Sequence, residues 1–109
     1  QILELTNTKI FVDALPEGLN TMIGDKGDFL STGQKARLAF ARALLMDPKI
    51  LILDEITSAL DEKSSKFILE TILKLRETTT IIAISHDPLV IEMAENLFEL
   101  SDFKISKIN

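Results

Sequence analysis

The sequence predicts an α/β fold in which parallel strands alternate with crossover helices. Two short runs carry this prediction, ILILDE at 50–55 and TTTIIAIS at 78–85, both rich in apolar residues. A helical pattern separates the runs and another follows the second, an alternation typical of a parallel sheet with right-handed crossovers. Because the apolar residues within each run are consecutive, we expect both strands to be buried on both faces of the sheet.

The segment before the first strand is predicted to be largely helical. Apolar residues between 1 and 15 predict one helix or two short ones, ending at Pro16. Residues 16–29 hold three of the four glycines and predict a loop with turns. Ser31 is then expected to cap a helix that starts near Gly33, with an apolar stripe over 36–44 and an end at Asp47-Pro48.

The remaining elements follow from capping residues and turn residues. Asp61 is expected to cap a helix that runs to about Arg76. Asp87 is expected to cap a third helix, with Pro88 at its first position. LFEL at 97–100 and FKISKI at 103–108 flank Ser101 and Asp102, which predicts a terminal β-hairpin.

Composition limits the classes of function. The chain has 109 residues, enough for one small domain, and a formal net charge of −5, which argues against a nucleic-acid surface. It contains no cysteine, so neither a disulfide framework nor a cysteine metal site is possible. No apolar run is long enough to span a membrane. The first residues lack a signal peptide and an initiator methionine, and we interpret them as an internal start of a fragment.

Acidic residues and a histidine follow the two predicted strands. Asp54 and Glu55 end the first strand and His86 follows the second, so all three are expected at the same edge of the sheet. Ligands of open α/β sheets bind at this edge, and paired carboxylates suit Mg²⁺ and water at a phosphoryl group. The alternatives are that the carboxylates only solvate a strand end or cap a turn, and that the histidine is structural.

The stretch LSTGQ at 30–34 is a second candidate site. It places small residues before a helix whose free N–H groups and dipole favour an anion. The alternative is ordinary capping of the helix by Ser31.

These pieces occur together and in order, and residues 30–86 closely resemble the nucleotide-binding domain of ATP-binding cassette (ABC) proteins. LSTGQ is similar to the LSGGQ signature of that family, with Thr32 where the family usually has glycine. ILILDE resembles its Walker B strand, SALD at 58–61 its D-loop, and His86 its switch histidine. TMIGDKG at 21–27 is similar to the loop before the signature in ABC exporters, although Met22 stands where exporters usually carry Glu.

The resemblance implies a role for each matched residue. Asp54 would hold Mg²⁺ through water, Glu55 would orient or deprotonate the attacking water, and His86 would contact the γ-phosphate of ATP. The signature residues would contact ATP bound to a partner subunit, and the D-loop would link two active sites across a dimer. The signature residues are Ser31, Thr32, Gly33 and Gln34, and the D-loop residues are Ser58, Ala59, Leu60 and Asp61.

The phosphate-binding half of such a site is not found in the sequence. No glycine pair has the spacing of a loop that ends in Gly-Lys-Ser or Gly-Lys-Thr. The adenine-stacking aromatic residue and the glutamine loop of the family are also not found. We therefore expect a partial P-loop NTPase (ABC ATPase) fold without the phosphate-loop strand. Residues 1–47 would belong to the helical signature subdomain, and residues 48–109 to the C-terminal part of the RecA-like core.

The missing strand would leave an open edge on the strand at 78–85. We expect the terminal hairpin, a neighbouring chain or strand exchange between copies to close that edge.

The resemblance implies an ATP-hydrolysing domain of an exporter-like membrane transporter, in which ATP-driven dimer closure is coupled to transport. The full-length parent would use Mg²⁺ and ATP and would pair with a second nucleotide-binding domain and with transmembrane domains, at the cytoplasmic face of a membrane. The fragment itself is expected to be soluble, inactive and without a tightly bound cofactor. The alternatives are a soluble ABC ATPase of DNA repair or translation, and a non-enzymatic interaction fragment.

Overall fold

The computed structural model describes residues 1–24 and 29–109. Residues 25–28, which belong to the predicted loop and to the TMIGDKG motif, lie outside the described residues. The helices are α1 (Ile2–Leu5), α2 (Lys9–Asp13), α3 (Thr32–Leu45), α4 (Glu62–Leu75) and α5 (Pro88–Met93), with a 3₁₀ turn at Gly18–Asn20. The strands are β1 (Ile50–Asp54), β2 (Thr80–Ile84), β3 (Phe98–Ser101) and β4 (Lys104–Lys107).

The helix starts agree with the predicted caps. Ser31 caps α3, and its hydroxyl accepts a hydrogen bond from the Gln34 N–H. Asp61 caps α4, whose C-cap is Arg76. Asp87 caps α5, with a proline in its first turn. The sequence predicts these boundaries because a cap is a local interaction between residues two or three positions apart.

The two longer strands form a parallel sheet that is covered on one face. β1 pairs with β2 from Ile50 opposite Thr80 to Asp54 opposite Ile84. Leu51 and Leu53 are buried with Phe40 of α3 and Ile68 of α4 in the main core. Both helices contribute to this one core, so α3 and α4 lie on the same side of the sheet.

The prediction that both strands are buried on both faces is wrong. The side chains that point away from the main core are largely exposed: Ile50 by 61%, Ile52 by 65%, Ile82 by 49% and Ile84 by 55%. No element in the described ranges covers this second face. The consecutive apolar residues correctly predict that the second face is apolar. No described element packs against this face, so it remains exposed.

A second core holds the N-terminal helices against α3. Phe11, Val12 and Leu30 are buried there, and Leu38 of α3 packs against them. The predicted N-terminal helical segment is a pair of short helices, α1 and α2, rather than one.

Buried threonines join the turn between α1 and α2 to the longer helices. Thr6 and Thr8 are fully buried and hydrogen-bonded to each other, with 2.7 Å between their hydroxyl oxygens. Thr71 of α4 donates to the Leu5 carbonyl at 2.8 Å. Arg37 of α3 donates to the Asn7 carbonyl at 2.8 Å. These contacts fix the first thirteen residues relative to α3 and α4.

The C-terminal residues form the predicted hairpin. β3 and β4 pair in antiparallel register, and Asp102 and Phe103 between them both have positive φ angles, as a type I′ turn requires. Among the described strands the hairpin pairs only with itself. Of the three expected ways to close the open edge of β2, closure by the hairpin is therefore wrong, and the two that need another chain stay predictions. The division into subdomains after residue 47 also stays a prediction.

Candidate functional site

The chain turns sharply at Glu55, directly after β1. Its N–H donates to the Ile84 carbonyl at 2.9 Å, which extends the pairing with β2 by one bond. Its φ of 48° lies in the left-handed region, which is uncommon for a residue other than glycine. The Ser58 hydroxyl and N–H both donate to the Glu55 carbonyl, at 2.8 and 3.1 Å. The turn therefore fixes the backbone of Glu55 at the edge of the sheet.

Glu55 and His86 are in direct contact. Nδ1 of His86 lies 2.8 Å from Oε1 of Glu55. The Glu55 side chain is 32% exposed and the His86 side chain is 90% exposed. The structure thus places the histidine and this carboxylate at the same sheet edge, as the sequence predicts. A histidine with one ring nitrogen engaged keeps the other free for a further partner.

Asp54 lies at the same edge but is exposed. It is the last residue of β1 and is paired in register with Ile84. Among the residues that the structure describes, no three acidic or histidine side chains are grouped closely enough to hold a metal ion. Protein sites for Mg²⁺ commonly use one or two carboxylates, with water and phosphate oxygens completing the shell. Asp54 fits such a site as one ligand of a shared shell.

The first turn of α3 carries the signature residues in a capping box. The Gln34 N–H donates to the Ser31 hydroxyl at 3.1 Å, and the Ser31 N–H donates to Oε1 of Gln34 at 2.9 Å. The ordinary capping role of Ser31 is therefore present. The hydroxyl can still donate its own hydrogen, and N–H groups of a first helical turn lack intrahelical partners. Capping and anion binding are compatible here.

Thr32 is the first residue of α3 and is exposed. The α-helical region of φ and ψ is allowed for residues with a side chain. Threonine at position 32 can therefore adopt the backbone angles that the first turn of α3 requires. The departure from the family's glycine at this position leaves the helix start intact.

The signature helix touches the D-loop through Gly33. A Cβ atom added to Gly33 would lie 2.9 Å from the Ala59 carbonyl oxygen and 3.5 Å from Cδ2 of Leu60. Only glycine allows α3 to approach the D-loop backbone this closely.

Asp61, the last D-loop residue, is fixed by its role as a helix cap. Its carboxylate accepts from the Ser64 N–H at 3.0 Å and from the Ser64 hydroxyl at 2.7 Å. These two hydrogen bonds hold the pKa of Asp61 below its ordinary value, and the charge of Arg37 acts in the same direction. Asp61 is therefore ionised at neutral pH.

The site residues form two groups within this chain, and the D-loop contacts both, since the Ser58 hydroxyl donates to the Glu55 carbonyl and the Ala59 carbonyl lies against Gly33. Glu55 contacts His86, and the signature helix contacts the D-loop. In the described part of the chain, no hydrogen bond or ion pair joins Ser31 or Gln34 to Glu55 or His86.

The sequence gives no indication of one contact at this edge. The Thr57 hydroxyl donates to Oδ2 of Asp87 at 2.8 Å, across 30 positions of the chain. The sequence predicts Asp87 only as a helix cap, and no motif spacing signals its second partner.

A parallel α/β sheet with an Asp-Glu pair and a histidine at its carboxyl edge is typical of proteins that bind nucleoside triphosphates and transfer phosphoryl groups. The comparisons with known proteins identify the family within this class. The family model "ABC transporter" matches residues 9–58. A solved structure described as a bacterial Atm1-family ABC exporter with ATP bound superposes with a TM-score of 0.81 and 34% identity, over 89% of this chain and 17% of that chain. This chain belongs to the ABC transporter family, and its fold matches part of the nucleotide-binding domain of an ABC exporter.

Curated relatives extend the similarity along nearly the whole chain. Multidrug resistance protein 1 of Entamoeba histolytica is 44% identical over 94% of this chain. The ATP-dependent lipid A-core flippase of Shewanella frigidimarina is 46% identical over 94% of this chain. This chain spans only 8% of the first relative and 17% of the second.

No helix among the described residues is both long and apolar enough to cross a membrane.

Proposed function

We propose that this chain is the C-terminal portion of an ATP-hydrolysing domain, and that the full-length parent couples ATP hydrolysis to export across a membrane. The observation that carries the proposal is the 2.8 Å contact between Glu55 and His86 at the carboxyl edge of the sheet. Both side chains have the chemistry that γ-phosphate hydrolysis needs, a base for water and a donor for phosphate oxygen. The names of the relatives, a multidrug resistance protein and a flippase, support the exporter assignment.

Glu55 is the proposed base. Its side chain is two-thirds buried and lies on a backbone fixed by the turn to Ser58, so its carboxylate can hold a water molecule in a defined direction. His86 is the proposed donor to the γ-phosphate: a protonated imidazole can donate from Nδ1 to Glu55 and from the exposed Nε2 to a phosphate oxygen. Asp54 is the proposed ligand of the Mg²⁺ that neutralises charge on the phosphates of bound ATP.

The signature residues are proposed to act on ATP held by a partner subunit. Ser31 is exposed and Gly33 half-buried at a helix start with hydrogen-bond donors available, and among the described residues no hydrogen bond or ion pair links them to Glu55 of their own chain. Signature residues without such a bond to the proposed base of their own chain are what a site shared between two subunits requires. Ser58 and Asp61 of the D-loop would then face the partner, because the D-loop packs directly against the signature helix.

The proposed partners follow from this arrangement. A second nucleotide-binding domain would complete each ATP site, and transmembrane domains would use the energy of its closure at the cytoplasmic face of a membrane. Nucleic acid is not a proposed partner, because the net charge of −5 opposes binding to phosphate backbones.

The 109-residue chain alone is not expected to bind ATP tightly or to hydrolyse it. A glycine-rich loop and its lysine make most contacts to the β- and γ-phosphates, and the sequence holds no such loop. Titration calorimetry with Mg-ATP measures this directly. Micromolar affinity, about −8 kcal/mol, would contradict the expectation.

Replacement of Glu55 in the full-length parent tests the proposal itself. Glu55→Gln should leave ATP binding intact and stop turnover, because an amide keeps the shape of the side chain but cannot accept a proton. Glu62→Gln is the matched control, since Glu62 is exposed and forms an ion pair with Lys66 of the same helix. Hydrolysis by the Glu55 variant at the rate of the control would rule out the proposed role.

A further inference from the structure

A nearly buried hydrogen bond connects the segment after β1 to the segment after β2. The Thr57 hydroxyl donates to Oδ2 of Asp87 at 2.8 Å, and Thr57 is only 6% exposed. Thr57 lies two residues after Glu55 and directly before the D-loop. Asp87 directly follows His86. The bond therefore joins the two chain segments that carry the proposed base and the proposed phosphate sensor.

Asp87 is held from three directions. Its Oδ1 accepts from the Leu89 N–H at 2.9 Å, which caps α5. Its Oδ2 accepts from Thr57, and its own N–H donates to the Ser85 hydroxyl at 3.1 Å. The backbone next to His86 is thus fixed on both sides, and in the described part of the chain the Thr57 bond is the side-chain hydrogen bond that joins Asp87 to a distant segment.

The His86 side chain has no comparable support. It is 90% exposed, and its contact with Glu55 is the polar contact that the structure shows for its ring. The position of the ring consequently depends on the backbone of residues 85–87. Loss of the Thr57 hydroxyl would leave Oδ2 of the half-buried Asp87 carboxylate without its donor. An acceptor left without a partner costs more free energy than the net contribution of one hydrogen bond.

Thr57 also belongs to the turn that leads into the D-loop. Its carbonyl accepts from the Leu60 N–H at 3.0 Å, and the Ser58 next to it donates to Glu55. A displacement of the D-loop would therefore move Thr57, because the two are linked through the backbone. It would also move Asp87, because the Thr57 hydroxyl is bonded to the Asp87 carboxylate.

We propose that Thr57 is a positioning residue that ties the His86 segment to the D-loop through its hydrogen bond with Asp87. The inference rests on the proposed function, in which His86 contacts the γ-phosphate. Thr57 itself touches neither nucleotide nor water in this assignment. It keeps His86 in place beside Glu55, and it makes that placement depend on the position of the D-loop.

Two substitutions of Thr57 in the full-length parent test the inference. Thr57→Val keeps the shape and removes the hydroxyl, whereas Thr57→Ser keeps the hydroxyl and removes a methyl group. We expect Thr57→Val to lower the kcat of ATP hydrolysis by roughly tenfold with KM changed by less than about twofold. We expect Thr57→Ser to restore most of the lost kcat. Equal kcat in the valine variant and the wild type would overturn the inference.

A His86→Ala background separates positioning from general loss of structure. If Thr57 acts through His86, adding Thr57→Val to His86→Ala should lower kcat no further. An additional loss as large as that in the wild-type background would show that Thr57 acts independently of His86 and would overturn the inference.

Hydrogen exchange provides a readout that needs no ATP turnover. Amides of residues 84–92 should exchange faster in Thr57→Val than in Thr57→Ser, while those of α4 should not differ between the variants. Unchanged exchange in residues 84–92 would overturn the inference. A wild-type protein without ATPase activity would contradict the proposed function instead, so the two failures are distinguishable.

Asp87→Asn serves as a second variant with a milder change. The amide oxygen can still cap α5 at Leu89, but the amide NH₂ then faces Thr57, so the hydroxyl loses its charged acceptor and can only accept a weaker hydrogen bond between neutral groups. We expect kcat to fall in the same direction as for Thr57→Val, and wild-type kcat in this variant would also count against the inference.

Discussion

Replacing Gly33 by alanine tests whether the contact between the signature helix and the D-loop is tight. A Cβ at this position would lie 2.9 Å from the Ala59 carbonyl oxygen, closer than real Cβ atoms come to any neighbour. The neighbour is backbone, so it cannot rotate away, and α3 or the D-loop must move by several tenths of an ångström. Such overpacking typically costs about 1–3 kcal/mol. Alanine gains up to about 1 kcal/mol over glycine in a helix, which leaves a net loss of about 1 kcal/mol.

Urea unfolding of the 109-residue chain, followed by circular dichroism, measures this loss. With a denaturant slope of about 1–2 kcal/mol per molar, the midpoint should fall by roughly 0.5–1 M. Thr32→Ala is the matched control, because Thr32 is exposed at the adjacent helical position and its midpoint should stay level or rise with helix propensity. If both substitutions raise the midpoint, helix propensity alone decides the outcome and the close approach at Gly33 is refuted.

Two further predictions concern helix caps. Hydrogen bonds from the N–H and the hydroxyl of Ser64 lower the pKa of Asp61, so their stabilisation is complete above the ordinary pKa of 3.8 and is lost as the pH falls through the lower folded value. Urea midpoints between pH 7 and pH 2.5 should therefore fall more steeply for the wild type than for Asp61→Asn, and parallel profiles would contradict this. Ser31→Ala should cost the chain about 1 kcal/mol of unfolding free energy. In the full-length parent it should slow ATP hydrolysis without weakening ATP binding to an isolated subunit, and the reverse pattern would contradict a site shared between subunits.

Local signals in the sequence predict the helix starts and the hairpin correctly. Ser31, Asp61 and Asp87 each cap the expected helix, because the partner of a cap is only two or three residues away. The parallel pairing of β1 and β2 also follows from the sequence, since a helix between two strands requires a crossover. The common edge of Glu55 and His86 is a direct consequence of that pairing.

Contacts between distant segments could not be predicted in the same way. Thr57 and Asp87 are 30 positions apart, and neither residue type specifies the other as its partner. Gly33 is a recognisable signature residue, but the sequence does not show that the Ala59 carbonyl leaves no room there for a Cβ unless the backbone shifts. The prediction that the second face of the sheet is buried failed for a different reason. Consecutive apolar residues indicate that a strand can be buried on both faces, whereas actual burial depends on which elements the chain supplies.

That exposed face yields a final prediction, because neighbouring isoleucines of β2 point to opposite sides of the sheet. Ile81 packs against the main core, whereas Ile82 is 49% exposed on the uncovered face. An apolar strand with an open edge promotes association between copies, and a lysine on such a strand opposes it. Ile82→Lys should therefore reduce light scattering of the concentrated 109-residue chain and shift its unfolding free energy by no more than about 0.5 kcal/mol. Ile81→Lys places the same charge against the core, where an unpaired charge costs several kcal/mol, and should unfold the chain. Equal losses of stability in the two variants would contradict a sheet that is covered on one face only.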